Sequence, residues 1–135
     1  MKIYITMIFS FSAGHRLYDP NFSDEDNYKI YGKCSNPTGH GHNYKLAVTI
    51  YGEVHPIKGV IINYEDLRNI VYDNLLKYID HKNLNTDVKF LEGINPTAEN
   101  LCLKFWDILS KVLPDGMLNA IKLYESDKQG VSCKG

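Results

Sequence analysis

The sequence predicts an α+β fold in which two helices lie on one face of a short antiparallel sheet. Apolar residues recur at every second position over Lys2–Ser12 and Asn43–Tyr51. They recur at every third or fourth position over Tyr64–Tyr78 and again after Thr97. A period of two marks a strand with one buried face, and a period near 3.6 marks an amphipathic helix. The resulting order of strands, helix, helix, strands lets both helices cover the apolar side of one sheet.

The first strand runs from Lys2 to Ser12, with Ile3, Ile5, Met7, Phe9 and Phe11 on one side, and ends at Ala13-Gly14. Tyr18–Gly32 is polar and acidic without periodicity, which predicts a long loop with at most a helical turn. Asn43–Tyr51 places Tyr44, Leu46, Val48 and Ile50 on one face. Gly52–Gly59, with Pro56, reads as a turn, and Val60–Ile62 as a short strand. Asn63 suits an N-cap because Glu65 and Asp66 follow in the first turn, where negative charge is favoured. The helix it opens carries Leu67, Ile70, Val71, Leu75, Tyr78 and Ile79 on its apolar side. Thr97 caps a second helix with the stripe Leu101, Phe105, Ile108, Leu109 and Val112, and Pro114 stops it. Met117–Glu125 alternates as a strand, and Gly130–Cys133 forms a last short one.

The 135 residues make one domain, and hydrophobic and charged fractions of 44% and 23% are those of a folded, water-soluble chain. A net charge of -1 lacks the basic excess that phosphate backbones require, so nucleic acid is not an expected partner. No apolar run reaches the roughly 18 residues of a membrane span, so no membrane partner is expected. Cys34, Cys102 and Cys133 form neither a CxxC pair nor a dense framework, which predicts a reducing, cytoplasmic location. With helices on one sheet face only, the other face needs cover. The ten tyrosines supply interface area, so sheets joined edge to edge in a homo-oligomer are expected.

The chemistry concentrates in a few places. His40 and His42 stand two apart at the opening of the second strand and so share a face, and His15 lies just past the first strand, within reach of the same point. Three imidazoles leave one position of a tetrahedral zinc open, the layout of a catalytic site. An isolated HxH pair is as often two surface histidines; the third histidine shifts the balance. Gly39 and Gly41 let backbone come close beside them. Cys34 sits in a Gly- and Pro-bearing loop six residues before His40, where a nearby cation would lower its pKa, although a cysteine taken alone is more often a small buried residue. Asp80-His81 offers an imidazole whose tautomer a carboxylate can fix, although a simple helix-ending pair reads equally well. Glu125 falls on the buried parity of Ile121 and Leu123, where a carboxylate needs a donor that a ring with two adjacent N–H groups would supply; a strand ending at Tyr124 with Glu125 in solvent is the other reading.

Together, Ser10–Leu17, Tyr31–Cys34, Asn36–Tyr44, Asp80–Leu84, Thr97–Asn100 and Tyr124–Ser126 closely resemble the 6-pyruvoyl tetrahydropterin synthase family, and the likeness runs through nearly the whole chain. The resemblance implies a tunnelling fold: a four-stranded antiparallel sheet with two helices on one face, trimers closing into a barrel, and two trimers stacked as a homohexamer. It implies zinc on His15, His40 and His42, and catalysis by Cys34, Asp80 and His81. Glu125 would anchor a pterin, Thr97 would line its pocket, and active sites would lie between subunits. Ala98 departs from the family, which often has a hydroxyl residue there. The implied reaction converts 7,8-dihydroneopterin triphosphate to 6-pyruvoyl tetrahydropterin with loss of triphosphate. The related 6-carboxytetrahydropterin synthase of the queuosine pathway usually has three residues between its cysteine and HGH, whereas five separate Cys34 from His40. A relative that forms 6-hydroxymethyl dihydropterin tends to carry Glu near the Cys34 position. A non-enzymatic zinc- or pterin-binding protein is the reading from another class.

Overall fold

A computed structural model describes residues 1–135. Strands β1 (Lys2–His15) and β2 (His40–Glu53) pair antiparallel along their full length, from Lys2 opposite Glu53 to His15 opposite His40. The sheet continues through β4 (Leu118–Ser126) and β5 (Gln129–Lys134), both antiparallel to their neighbours. A two-residue strand, β3 (Lys82–Asn83), runs parallel to Ala13 and Gly14 of β1, so the order is β3-β1-β2-β4-β5. The sheet therefore has five strands and is mixed. The expected four antiparallel ones form its body, and no periodicity can reveal a strand of two residues.

The alternation read from the sequence selects the buried face. Phe9, Phe11 and Ala13 of β1 and Tyr44, Leu46, Val48 and Ile50 of β2 turn toward the helices and are buried. Phe11 and Tyr44, directly opposite in the register, stack at 4.7 Å between ring centroids, and Phe105 meets Phe11 edge-on. The other sheet face is open: Tyr4 is 61% and Ile8 68% exposed, flanked by the Thr6–Thr49 hydroxyl pair. No helix is long and apolar enough to cross a membrane.

The first helix of the sheet-covering pair begins as expected at Asn63, whose side chain accepts from the N–H groups of Glu65 and Asp66. It is not uniform: α2 (Tyr64–Val71) passes into a π turn (Tyr72–Leu76) and then α3 (Lys77–Ile79). The extra residue of the π turn rotates the apolar side, burying Leu75, Leu76 and Ile79 while Tyr78 stays half-exposed, so Leu76 replaces Tyr78 in the predicted stripe. Helix α4 (Ala98–Val112) is capped by the Thr97 hydroxyl and ends two residues before Pro114, with Leu101, Phe105 and Leu109 buried.

Three further elements differ from the sequence reading. β1 extends three residues past Ser12, to His15, because β2 continues opposite it to His40. The acidic segment holds a real helix, α1 (Asp24–Tyr31), capped by Ser23 and followed by a 3-10 turn over Gly32–Ser35. Val60–Ile62 is not a strand, because both edges of β2 are taken by β1 and β4; the His55 N–H closes a turn onto the Val60 carbonyl instead.

Candidate metal centre and active site

The register places the histidines. His15 and His40 are opposite one another at the end of the β1–β2 ladder, and His42 stands opposite Ala13, all on the helix-facing side. A one-residue slip would turn the set to the other face. The three rings stand nearly perpendicular to one another, with centroids 4.7–5.2 Å apart. The His42 Nε2 lies 3.0 Å from that of His40 and 3.2 Å from that of His15. The Nδ1–H of His15 donates to the Pro96 carbonyl at 3.0 Å, which leaves its Nε2 lone pair facing the others.

Burial lowers the His15 pKa to about 4 against the opposing pull of the Pro96 bond, with His42 and His40 adding to the fall. Burial and then His40 lower that of His42. Neutral imidazoles with convergent lone pairs are the donor set that a metal ion needs. With the Cys34 thiol, the three donor nitrogens form a group within 4.8 Å of one another that could hold a metal.

Cys34 arrives from the excursion between β1 and β2. It sits in the 3-10 turn, its carbonyl accepting from the Leu17 N–H at 2.8 Å and its Sγ 3.5 Å from the His40 Nε2. Burial, then the nearby Glu125, raise its thiol pKa in the absence of a cation. The protein's own charges therefore do not favour a thiolate, and the lowered pKa expected from the sequence depends, as read there, on a cation beside the sulfur.

The turn after Cys34 returns the chain to β2 through Gly39, which has φ +70°. A Cβ there would lie 2.7 Å from the His15 carbonyl oxygen, so Gly39 is required on both grounds, while Gly41 would meet nothing closer than 3.5 Å. Gly39→Ala is expected to cost about 1–3 kcal/mol of stability, read as a lower urea midpoint with unchanged slope, and to weaken metal retention because the His15 carbonyl must move.

Glu125 occupies an irregularity of β4, where the register to β5 shifts between Tyr124 and Ser126. Such a bulge re-aims a side chain. The carboxyl is half-buried, and its pKa is raised by burial and then by Glu99, with His40 opposing. The carboxyl therefore lies near enough to His40 and Cys34 for their charges to interact.

Asp80 and His81 do touch, as a tautomer-fixing pair would: Oδ1 of Asp80 lies 2.9 Å from the His81 Nδ1 and also accepts from the Ser12 N–H at 3.0 Å. His81 has φ 61°, a left-handed conformation that non-glycine residues adopt at a cost, held here by its N–H bond to the Ser12 carbonyl. Its ring is exposed, over a cleft that includes Ser12, Gly14, Gly41 and Asn43. Those four residues alternate with the metal-facing histidines along β1 and β2, although His42 also borders the cleft, and no contact joins His81 to Cys34 within one chain. Thr97 lies beside Pro96 at the cap of α4, its oxygen accepting from the Asn100 N–H.

Tyr44, read from the sequence only as core, places its hydroxyl 3.3 Å from the His15 Nδ1. Burial, then Glu125 and Cys34, hold that phenol protonated well beyond its ordinary range. The Pro96 carbonyl and Glu99 were equally unmarked, since their roles depend on contacts across the fold. Cys102 is a buried core residue, its thiol pushed up to about 12 by burial and by the adjacent Cys133.

The family model for 6-pyruvoyl tetrahydropterin synthase matches residues 4–135. The chain is 49% identical over 126 residues to the 6-pyruvoyl tetrahydrobiopterin synthase of Pongo abelii and 48% identical over 126 residues to that of Homo sapiens, covering 93% of this chain and 87% of each relative. Its fold is similar to the solved structure of Caenorhabditis elegans 6-pyruvoyl tetrahydropterin synthase, with a TM-score of 0.92 at 33% identity over 100% of this chain and 96% of that one.

Proposed function

The chain belongs to the 6-pyruvoyl tetrahydropterin synthase family, and from that premise we propose that it is the enzyme that converts 7,8-dihydroneopterin triphosphate to 6-pyruvoyl tetrahydropterin with release of triphosphate. The observation that carries this reading is the thiol placed 3.5 Å from one of three converging imidazoles. The metal is zinc, held by His15, His40 and His42. Their nitrogen spacings of 3.0 and 3.2 Å are near the roughly 3.3 Å that ligands at about 2.0–2.1 Å around a tetrahedral ion would have. When bound, zinc supplies Lewis acidity to the oxygens of the substrate side chain and so acidifies their neighbouring C–H and O–H groups.

The residues of this chain do the rest. Glu125 accepts two adjacent N–H groups of the pterin ring and fixes its direction, with Thr97 lining the pocket. Cys34 takes a proton from the side chain of the substrate, and His81, oriented by Asp80, returns one on the opposite side. The reaction eliminates triphosphate and redistributes hydrogen within the substrate, so no external reductant enters. Because His81 opens onto the sheet face opposite the histidines, the pair serving one Cys34 comes from a neighbouring copy. The open sheet face bearing Tyr4 and Ile8 supports the same assembly, a homohexamer built as a dimer of trimers whose sheets close into barrels. The protein works in the cytoplasm, where its three cysteines stay reduced.

Anaerobic incubation of the zinc-loaded protein with 7,8-dihydroneopterin triphosphate, followed by mass spectrometry, tests this. Triphosphate release with the three-carbon side chain retained is expected. A carboxy- or hydroxymethyl-pterin would move the protein to a sister activity, and no turnover by zinc-containing protein would make it a binding protein.

A further inference from the structure

Arg16 directly follows His15, and its hydrogen bonds go to Asn85 and Ser35 rather than to the histidine cluster. Its backbone is gripped reciprocally by one side chain: the Arg16 N–H donates to the Asn85 Oδ1 at 2.7 Å, and the Asn85 Nδ2 donates to the Arg16 carbonyl at 2.8 Å. Asn85 is itself held, its N–H donating to the Asn83 Oδ1 at 2.9 Å, and Asn83 belongs to β3, paired with β1. From this anchored backbone the guanidinium lies over the Tyr18 ring at 3.9 Å, and its Nε donates to the Ser35 carbonyl at 2.9 Å. The next N–H, of Leu17, donates to the Cys34 carbonyl at 2.8 Å. Two successive carbonyls of the 3-10 turn, those of Cys34 and Ser35, are thus tied to the segment that Asn85 fixes. The remaining ion pair, to Asp24 at 3.8 Å, joins a carboxylate that is 91% exposed and adds little.

The geometry points to Arg16, clamped by Asn85, as a positioning residue that sets the Cys34 thiol against the His15–His40–His42 cluster. A 3-10 turn of four residues has few internal bonds to hold it, and the segment before it is the polar helix α1, whose one buried residue is Asn27. Without the Arg16 side chain, the turn would keep its own Asn36 N–H to Lys33 carbonyl bond and be held to the segment after β1 only through the Leu17 N–H to Cys34 carbonyl bond. A displacement near 1 Å at a reacting group lowers turnover by about 10²-fold. The inference rests on the role proposed above for Cys34.

Arg16→Met keeps an unbranched, flexible stem and removes the side chain's donors. In the zinc-loaded protein, kcat is expected to fall about 10- to 100-fold, with KM and zinc content little changed. Placed on a Cys34→Ala background, the same substitution is expected to add no further loss, because the residue it positions is gone. Asn85→Ala, which leaves the neighbour of His15 untouched, is expected to lower kcat in the same way to a smaller extent, and serves if Arg16→Met does not fold.

A raised KM with kcat retained would instead place the guanidinium on the substrate, and loss of zinc would place its action on His15. An equal loss in the Cys34→Ala background would also overturn the inference. The rate of Cys34 alkylation by iodoacetamide reads the turn without turnover and is expected to rise severalfold in Arg16→Met; an unchanged rate overturns the positioning role. If Cys34→Ala proves fully active while alkylation still responds, the positioning stands and the base assignment fails.

Discussion

Cys34→Ala is expected to lower turnover by about 10²–10⁴-fold, the usual contribution of a positioned acid or base, while the protein still binds its metal. The thiol lies 3.5 Å from the His40 Nε2, and the three imidazoles converge without needing the sulfur. Two measurements separate the effects: product formation under single-turnover conditions, and metal analysis of the dialysed protein. The ionisation of Cys34 gives a further reading of the same site. In the metal-free protein, burial and Glu125 both disfavour the thiolate, so the pH midpoint of Cys34 alkylation lies above the ordinary thiol range. A cation beside the sulfur favours the anion, so metal loading is expected to move that midpoint down. Turnover close to that of the unmodified protein in Cys34→Ala would remove the base assignment.

His42→Ala is expected to abolish both metal retention and activity. His42 is the central donor, within 3.2 Å of both other Nε2 atoms. Losing an outer-shell partner of a metal ligand costs about 10–100-fold in affinity, and losing a ligand costs at least that. The fold itself is expected to persist, because the apolar core between the sheet, the covering helices and their connections comprises 24 buried residues and includes none of the histidines. A near-native circular dichroism spectrum in a protein that no longer retains zinc after dialysis is the expected result. Full zinc content in His42→Ala would show that the ion is held by other donors. These two variants divide the site: one removes proton transfer and keeps the metal, and the other removes the metal and keeps the fold.

Local pattern carried much of this protein. Ile5, Met7, Phe9 and Phe11, and Tyr44 through Ile50, disclosed two strands and their buried faces because a side chain's face in a strand depends only on parity. Asn63 and Thr97 disclosed two helix starts because a cap is a bond within three residues. The histidine pair was legible for the same reason as the strands. Helix α1 went unread although Ser23 and the acidic residues after it mark a start, because only Asn27 is buried and no apolar stripe follows. The Leu76-for-Tyr78 exchange was unreadable, since a π turn leaves the composition of a helix unchanged.

Sequence by itself therefore determined the elements, the faces they bury and the residue types able to do the chemistry, all of which follow from interactions within a few residues. Tertiary structure decided the rest. The β1–β2 register set His15 opposite His40, the Asn85 and Arg16 ties returned Cys34 to that point, and the pairing of β3 with β1 left His81 on the opposite face. Each of these joins residues far apart in the chain, and parity or capping says nothing about which distant partner a strand or turn will meet.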